Sequence, residues 1–288
     1  MNAEVWGMTI VGAIALVAGL VLVRARFGAA SGADKVLALG PVFEAVALAI
    51  FATEHFFEGR NMAPMVPHWL PWHLFWIYFV GAGLMAAAIS FIAWRCVRWS
   101  ASLLALFFFL VVATMDLPNL ASSLHDRFFW ILTARELCFG SGALVLAASV
   151  WPREGRAGMV LARVGRGIVA AVMVFYGVEH FFFPHNVPGV PLEKITPAWI
   201  PAPAAIAYFV GIVLLLAAVG LMLRPTIRVA AAGCGAVLVV LTALFYVPIF
   251  VSEFGTAQGL EGINYVGDTL LFAATVLLAG LAADRPTI

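Results

Sequence analysis

The sequence predicts an all-α integral membrane protein of nine transmembrane helices, with one N-terminal helix ahead of two parallel-repeated four-helix bundles. Three observations predict it. Hydrophobic residues make up 64% of the 288 positions and charged residues only 11%, against roughly a quarter charged in a soluble domain. The apolar residues gather into nine runs bounded by charges or prolines, each near the roughly 20 residues that cross a bilayer as helix. A set of motifs also recurs at a nearly constant spacing. Lipid offers no partner for backbone N–H and C=O groups, so each run must pair its own as a helix.

The first run, 5–23, has no basic residue before it and Glu4 as its one flanking charge. It reads as a span and not as a cleavable leader. The next four runs are 36–57, 74–94, 100–117 and 128–151, and the last four are 164–183, 203–223, 227–250 and 262–282. The expected organisation is an extra helix in 1–35, one repeat in 36–151, an Arg- and Gly-rich cytoplasmic linker in 152–163 and a second repeat in 164–288. The connections 58–73 and 184–202 mix several prolines with Trp, Phe, Val and Ile. They are too apolar to hang free and are expected to cap the bundle at the membrane surface.

Orientation follows from the basic residues. Arg24, Arg26, Lys35, Arg95, Arg98, Arg153, Arg156, Arg163, Arg166, Arg224, Arg228 and Arg285 follow odd-numbered runs; only Arg60, Arg127 and Lys194 fall on the other side. This bias places the N-terminus outside and the C-terminus in the cytoplasm. Net charge is +1, and no basic face exists for nucleic acid; the partner the composition implies is the bilayer. Cys96, Cys138 and Cys234 form no Cys-x-x-Cys pair and read as packing residues.

The repeat is measurable. Ala52-Thr53-Glu54-His55-Phe56-Phe57 recurs as Gly177-Val178-Glu179-His180-Phe181-Phe182. Pro67-His68-Trp69-Leu70-Pro71 recurs as Pro197-Ala198-Trp199-Ile200-Pro201, and Tyr78-Phe79-Val80-Gly81 as Tyr208-Phe209-Val210-Gly211. Pro118 pairs with Pro248, and Glu136 with Asp268. An even number of helices per unit gives both copies one orientation, with an expected pseudo-two-fold axis along the membrane normal.

The acid–imidazole pairs carry the chemical interest. A glutamate at a helix C-terminus meets the negative end of the dipole, and a carboxylate near lipid needs a partner. If both helices face the axis, Glu54, His55, Glu179 and His180 would converge as an outward-facing site. Two carboxylates with two imidazoles suit a transition metal ion. A non-covalent haem held by His55 and His180 is a further reading, as is a quinone-like ligand. The alternative is that each pair only ties its own proline loop to the helix end, in a non-catalytic binding, transport or assembly subunit. Glu136 and Asp268 are expected beneath as intramembrane carboxylates. Arg135 is expected to point away from Glu136, toward Asp126 or a carboxylate on another helix. Glu44, whose repeat counterpart is Val169, and Asp116, whose counterpart is Tyr246, are further candidates belonging to the first half.

The pattern Gly-x-x-His-Phe, a gap, Pro-x-x-hydrophobic-Pro and Tyr-x-x-Gly resembles the DoxX-like family of four-helix membrane proteins, duplicated in tandem. Gly177, His180, Phe181, Pro201, Tyr208 and Gly211 carry the resemblance in the second copy; His55, Phe56, Pro71, Tyr78 and Gly81 carry it in the first, where Ala52 replaces the glycine. Many relatives place a glutamate three residues beyond the last glycine, where this chain has Leu84 and Leu214. The resemblance implies a bacterial inner-membrane protein associated with redox chemistry and with membrane redox partner subunits. The absent cysteine pair sets it apart from disulfide-exchanging proteins of similar fold.

Overall fold

The computed structural model describes residues 3–151, 156–190 and 193–281. Among these residues, nine helices are long and apolar enough to cross a membrane: α1 Ala3–Ala29, α2 Ala33–Phe57, α3 His73–Ala93, α4 Val97–Ser122, α5 Arg127–Ser149, α6 Arg156–Phe182, α7 Pro203–Met222, α8 Ile227–Glu253 and α9 Gly259–Ala279. The chain is therefore an all-α, multi-pass protein suited to residing in a bilayer. Every expected span has its helix. The largest boundary difference is at α6, which starts at Arg156 and so takes in Arg163 and Arg166 from the stretch read as linker; residues 152–155 of that linker lie outside the described residues. Cys96 is exposed, Cys138 and Cys234 are buried, and none is bonded to another.

The helices of one half do not close on themselves. α2 packs along α3 and α6 along α7. But α2 also lies along α9, and α6 along α5, while α5 and α9 meet in the middle. Each half thus lends its first helix to the last helix of the other. α1 adds to the outside of α2, where a Cβ on Gly12 would fall 2.8 Å from Ile50 and one on Gly19 2.5 Å from Val42. α9 is the central helix, and nearly all of its residues are buried.

Several local devices occur in both halves at matching positions. Pro118 and Pro248 donate no N–H and crowd the carbonyl four residues back. Each is accommodated by one widened π-helical turn immediately before it, Val112–Asp116 in α4 and Thr242–Tyr246 in α8. The residues before α3 and α7, Trp72 and Ala202, both adopt left-handed backbone, with φ of 59° and 49°. Phe56 stacks on Tyr78 at 6.3 Å and Phe181 on Tyr208 at 5.6 Å. Gly81 and Gly211 let these helix pairs close, because a Cβ there would sit 2.8 Å from the His55 Cβ and 3.1 Å from the His180 Cβ.

Candidate functional site

His55 and Glu54 lie in the last turns of α2, and His180 and Glu179 in those of α6. These positions match the sequence reading, but the outward-facing site does not form. His180 is only 1% exposed. Its Nδ1 lies 2.5 Å from the Tyr176 carbonyl, and its Nε2 accepts a 2.8 Å hydrogen bond from the Gly189 backbone N–H. Both ring nitrogens are therefore engaged within the chain. His55 Nδ1 lies 2.7 Å from the Phe51 carbonyl. The Cβ of each histidine packs against the glycine of its own neighbouring helix, Gly81 or Gly211. Glu179 accepts from Arg127 Nε at 2.5 Å, and Glu54 accepts from the Asn264 amide at 2.6 Å. The expected metal- or quinone-binding function at Glu54, His55, Glu179 and His180 is thus overturned, because their polar atoms serve bonds inside the fold. Among the described residues, no three His, Cys, Asp or Glu side chains are grouped to hold a metal ion.

The connections after α2 and α6 explain part of this. In the second half the chain after α6 doubles back, with Val187 N–H bonded to the Lys194 carbonyl and Thr196 N–H to the His185 carbonyl, both at 2.9 Å. Val187 to Val190 are buried. Gly189 takes φ +104°, and a Cβ there would meet Leu241 and Thr269 at 3.2 and 3.3 Å; only glycine fits this turn. The Tyr246 hydroxyl, from the π-helical turn of α8, donates to the Pro188 carbonyl. Lys194 pairs with Glu253 at 2.7 Å. The loop is thus inserted into the bundle end and held by His180, Tyr246 and Lys194. The first loop runs instead through the short helical turns Gly59–Met62 and Ala63–Met65.

The secondary carboxylates do come together. Glu136 and Asp268 each lie nine residues beyond the first residue of α5 and α9, so both sit roughly 14 Å below the loop end at 1.5 Å per residue. Arg135 joins them, and the expectation that it turns away from Glu136 does not hold. Its Nε and Nη2 donate to Glu136 Oε1 at 3.1 and 2.9 Å, while Nη1 donates to Asp268 Oδ2 at 2.7 Å. The planar fork satisfies a neighbour in sequence and a partner 133 positions away at once. Asp116, on the π-helical turn of α4, is 5% exposed, and its Oδ2 is buried without a hydrogen bond. Its charge interacts with those of Glu136 and Arg135. Glu54 likewise lies within electrostatic reach of Asp268 and Arg135.

Glu44 stands apart from this cluster but on the same seam. Gly40 of α2 packs against Leu277 and Leu278 of α9, Phe51 against Gly267, and Glu54 bonds Asn264. Residues 40, 44, 51 and 54 share one stripe of a 3.6-residue helix. The antiparallel register set by the other three places Glu44 opposite Ala274, whose small side chain leaves it room. Glu44 is 1% exposed, and its Oε2 has no hydrogen bond.

Asn264 was not singled out from sequence, and Arg135 entered only as a neighbour of Glu136. The available signal was compositional: α5 and α9 have the lowest mean hydropathy of the nine helices, yet both form the centre. Polar residues there face protein, not lipid.

A family model described as a domain of unknown function, DUF8561, matches residues 45–128. The match runs from α2 to the second residue of α5; it includes Glu54, His55 and Asp116 and leaves out Arg135, Glu136 and Asp268. It brings no assigned activity and no tie to DoxX-like proteins. No curated protein and no solved structure matches the chain.

Proposed function

We propose that the chain is a proton-handling membrane protein whose working element is the polar seam along α9, formed with α2 and α5. Charge balance supports this reading. Glu136 and Asp268 bond the Arg135 guanidinium, and Glu54 and Asp116 lie within its electrostatic reach in an otherwise apolar bundle, so four carboxyls share one fixed positive charge. A charge imbalance of that size is costly away from water. Protons that the surplus carboxyls take up and release restore neutrality. The groups are also spaced as a series. From Asn264, which holds Glu54, to Asp268 is four residues of α9, about 6 Å; from Asp268 to the level of Glu44 is six more, about 9 Å. The series begins at the loop end and reaches the middle of α2.

On this reading α2–α5 and α6–α9 descend from one duplicated four-helix unit of DoxX-like type, with the N-terminus outside. The recurring π-helical turns, stacked aromatics and left-handed residues support the duplication. The seam joins Glu44, Glu54, Asp116, Arg135 and Glu136 of the first copy to Asn264 and Asp268 on α9 of the second.

The test is proton movement in sealed proteoliposomes containing a pH-sensitive dye, driven by a potassium diffusion potential. Wild-type protein is expected to carry protons faster than protein-free vesicles, and Glu44→Gln and Asp268→Asn each to lower the rate about tenfold or more, the loss expected when a relay group can no longer exchange its proton. Flux no higher than in empty vesicles, or unchanged in both variants, overturns the reading.

A further inference from the structure

The opposite end of the molecule holds a cavity of about 750 Å³ where α1, α2, α3, α8 and α9 converge. Its charged lining is Arg26, Asp34 and Arg228, one positive charge in excess. Arg228 spends its charge on Asp34, to which Nε donates at 2.7 Å. Arg26 has a different environment. Its guanidinium lies 4.0 Å from the centre of the Trp94 ring, and among the described residues no carboxylate pairs with it. Trp94 reaches this position because the α3–α4 turn puts it in left-handed backbone, with φ 53°. A cation–π contact of this kind holds the guanidinium against the ring without using up its N–H donors. Leu37, Pro41 and Leu281 supply apolar wall beside it. α1, which forms one side, keeps most of its surface exposed to the surroundings.

We propose that this cavity binds a phosphate-bearing anion, with Arg26 as the primary contact and Arg228 as the second. The chemistry is an aromatic-backed guanidinium with which no carboxylate pairs among the described residues, at the membrane-surface end of a bundle, beside apolar wall. A guanidinium fork matches phosphoryl oxygens two at a time, and basic pockets between transmembrane helices take anionic lipid headgroups. The apolar wall and the lipid-exposed flank of α1 fit the glycerol and first acyl carbons of a phospholipid; free phosphate would use the two arginines alone. The site lies at the end of the bundle opposite the Glu54–Asn264 start of the carboxyl seam and does not depend on the seam's function.

The experiment measures thermal stability of the full chain in neutral detergent with added phosphatidylglycerol, phosphatidylcholine or inorganic phosphate, for wild type, Arg26→Gln and Arg24→Gln. Arg24 is exposed and does not line the cavity. Phosphatidylglycerol is expected to stabilise wild type and Arg24→Gln, and Arg26→Gln to weaken its apparent affinity about tenfold, the loss of one charge-assisted contact. Stabilisation by inorganic phosphate with the same Arg26 dependence assigns the site to free phosphate; stabilisation by the lipid alone assigns it to the headgroup. Should Arg26→Gln fail to fold, native mass spectrometry of the wild type decides: retention of phosphatidylglycerol over phosphatidylcholine supports the site. Equal retention, equal loss in both arginine variants, or no shift with either anion overturns it.

Discussion

The two halves of the molecule hold the same motif in different ways. In the second half Glu179 pairs with a full positive charge, Arg127, whose guanidinium also lies 4.0 Å over the Phe183 ring. His180 is bonded at both nitrogens, and Tyr246 ties down the inserted loop. In the first half the counterpart of Glu179 is Glu54, held by a neutral amide. The counterpart of Tyr246 is Asp116, whose Oδ2 has no partner. The counterpart of Val169 is Glu44, likewise with an unpartnered oxygen. The difference teaches that a repeated motif need not build a shared site. The second Glu-His pair is answered by a cation and by backbone groups, whereas the first half carries two buried carboxyls, Glu44 and Asp116, each with an oxygen that has no hydrogen bond.

The comparison breaks most visibly at Arg135, where the halves are joined. Arg135→Leu leaves Glu136 and Asp268 buried without their cation. Loss of one member of such a group costs about 3–5 kcal/mol, and chemical denaturation in detergent is expected to show a loss of that size.

The histidines give the next contrast. His180→Ala removes a packed ring and orphans the Gly189 N–H, an expected loss of about 2–3 kcal/mol. His55→Ala removes a half-buried ring with one backbone bond and is expected to cost about 1 kcal/mol. Equal effects, measured by thermal unfolding of both variants, would remove the asymmetry between the loops.

The smallest contrast is at the π-helical turns. Tyr246→Phe deprives the buried Pro188 carbonyl of its donor, at an expected cost of about 1–2 kcal/mol. Asp116→Asn deletes no protein hydrogen bond at Oδ2 and is expected to stay within about 0.5 kcal/mol of wild type. Limited proteolysis between residues 184 and 202 is expected to quicken in Tyr246→Phe and to stay unchanged in Asp116→Asn.

Much of the fold was legible in the sequence because lipid imposes a simple rule: apolar runs of crossing length become helices. The repeat offsets also located matched devices, among them Pro118 with Pro248 and Gly81 with Gly211. What the sequence could not reveal was which helix neighbours which. Periodicity puts Glu54 and Glu44 on one stripe of α2 but does not say that α9 of the other half lies against it. The Arg135 bond to Asp268 spans 133 positions and depends on α5 and α9 meeting in the middle. His180 was misread for the same reason. Its second nitrogen is taken by Gly189, and only the folded loop brings that N–H within reach. The replacement of Tyr246 by Asp116 was visible when the halves were aligned, and it proved a better guide to the polar seam than the shared Glu-His pair.

The central claim is that the seam along α9 holds more carboxyls than Arg135 can neutralise and that the surplus carries exchangeable protons. Infrared spectroscopy of the carboxyl C=O stretch, in hydrogen–deuterium difference mode on membrane-reconstituted protein at neutral pH, measures this directly. The account predicts a protonated-carboxyl band in the wild type that shrinks in Glu44→Gln and again in Glu44→Gln with Asp116→Asn, with the helical amide bands unchanged. A wild-type spectrum without that band, or a band untouched by both substitutions, would contradict it.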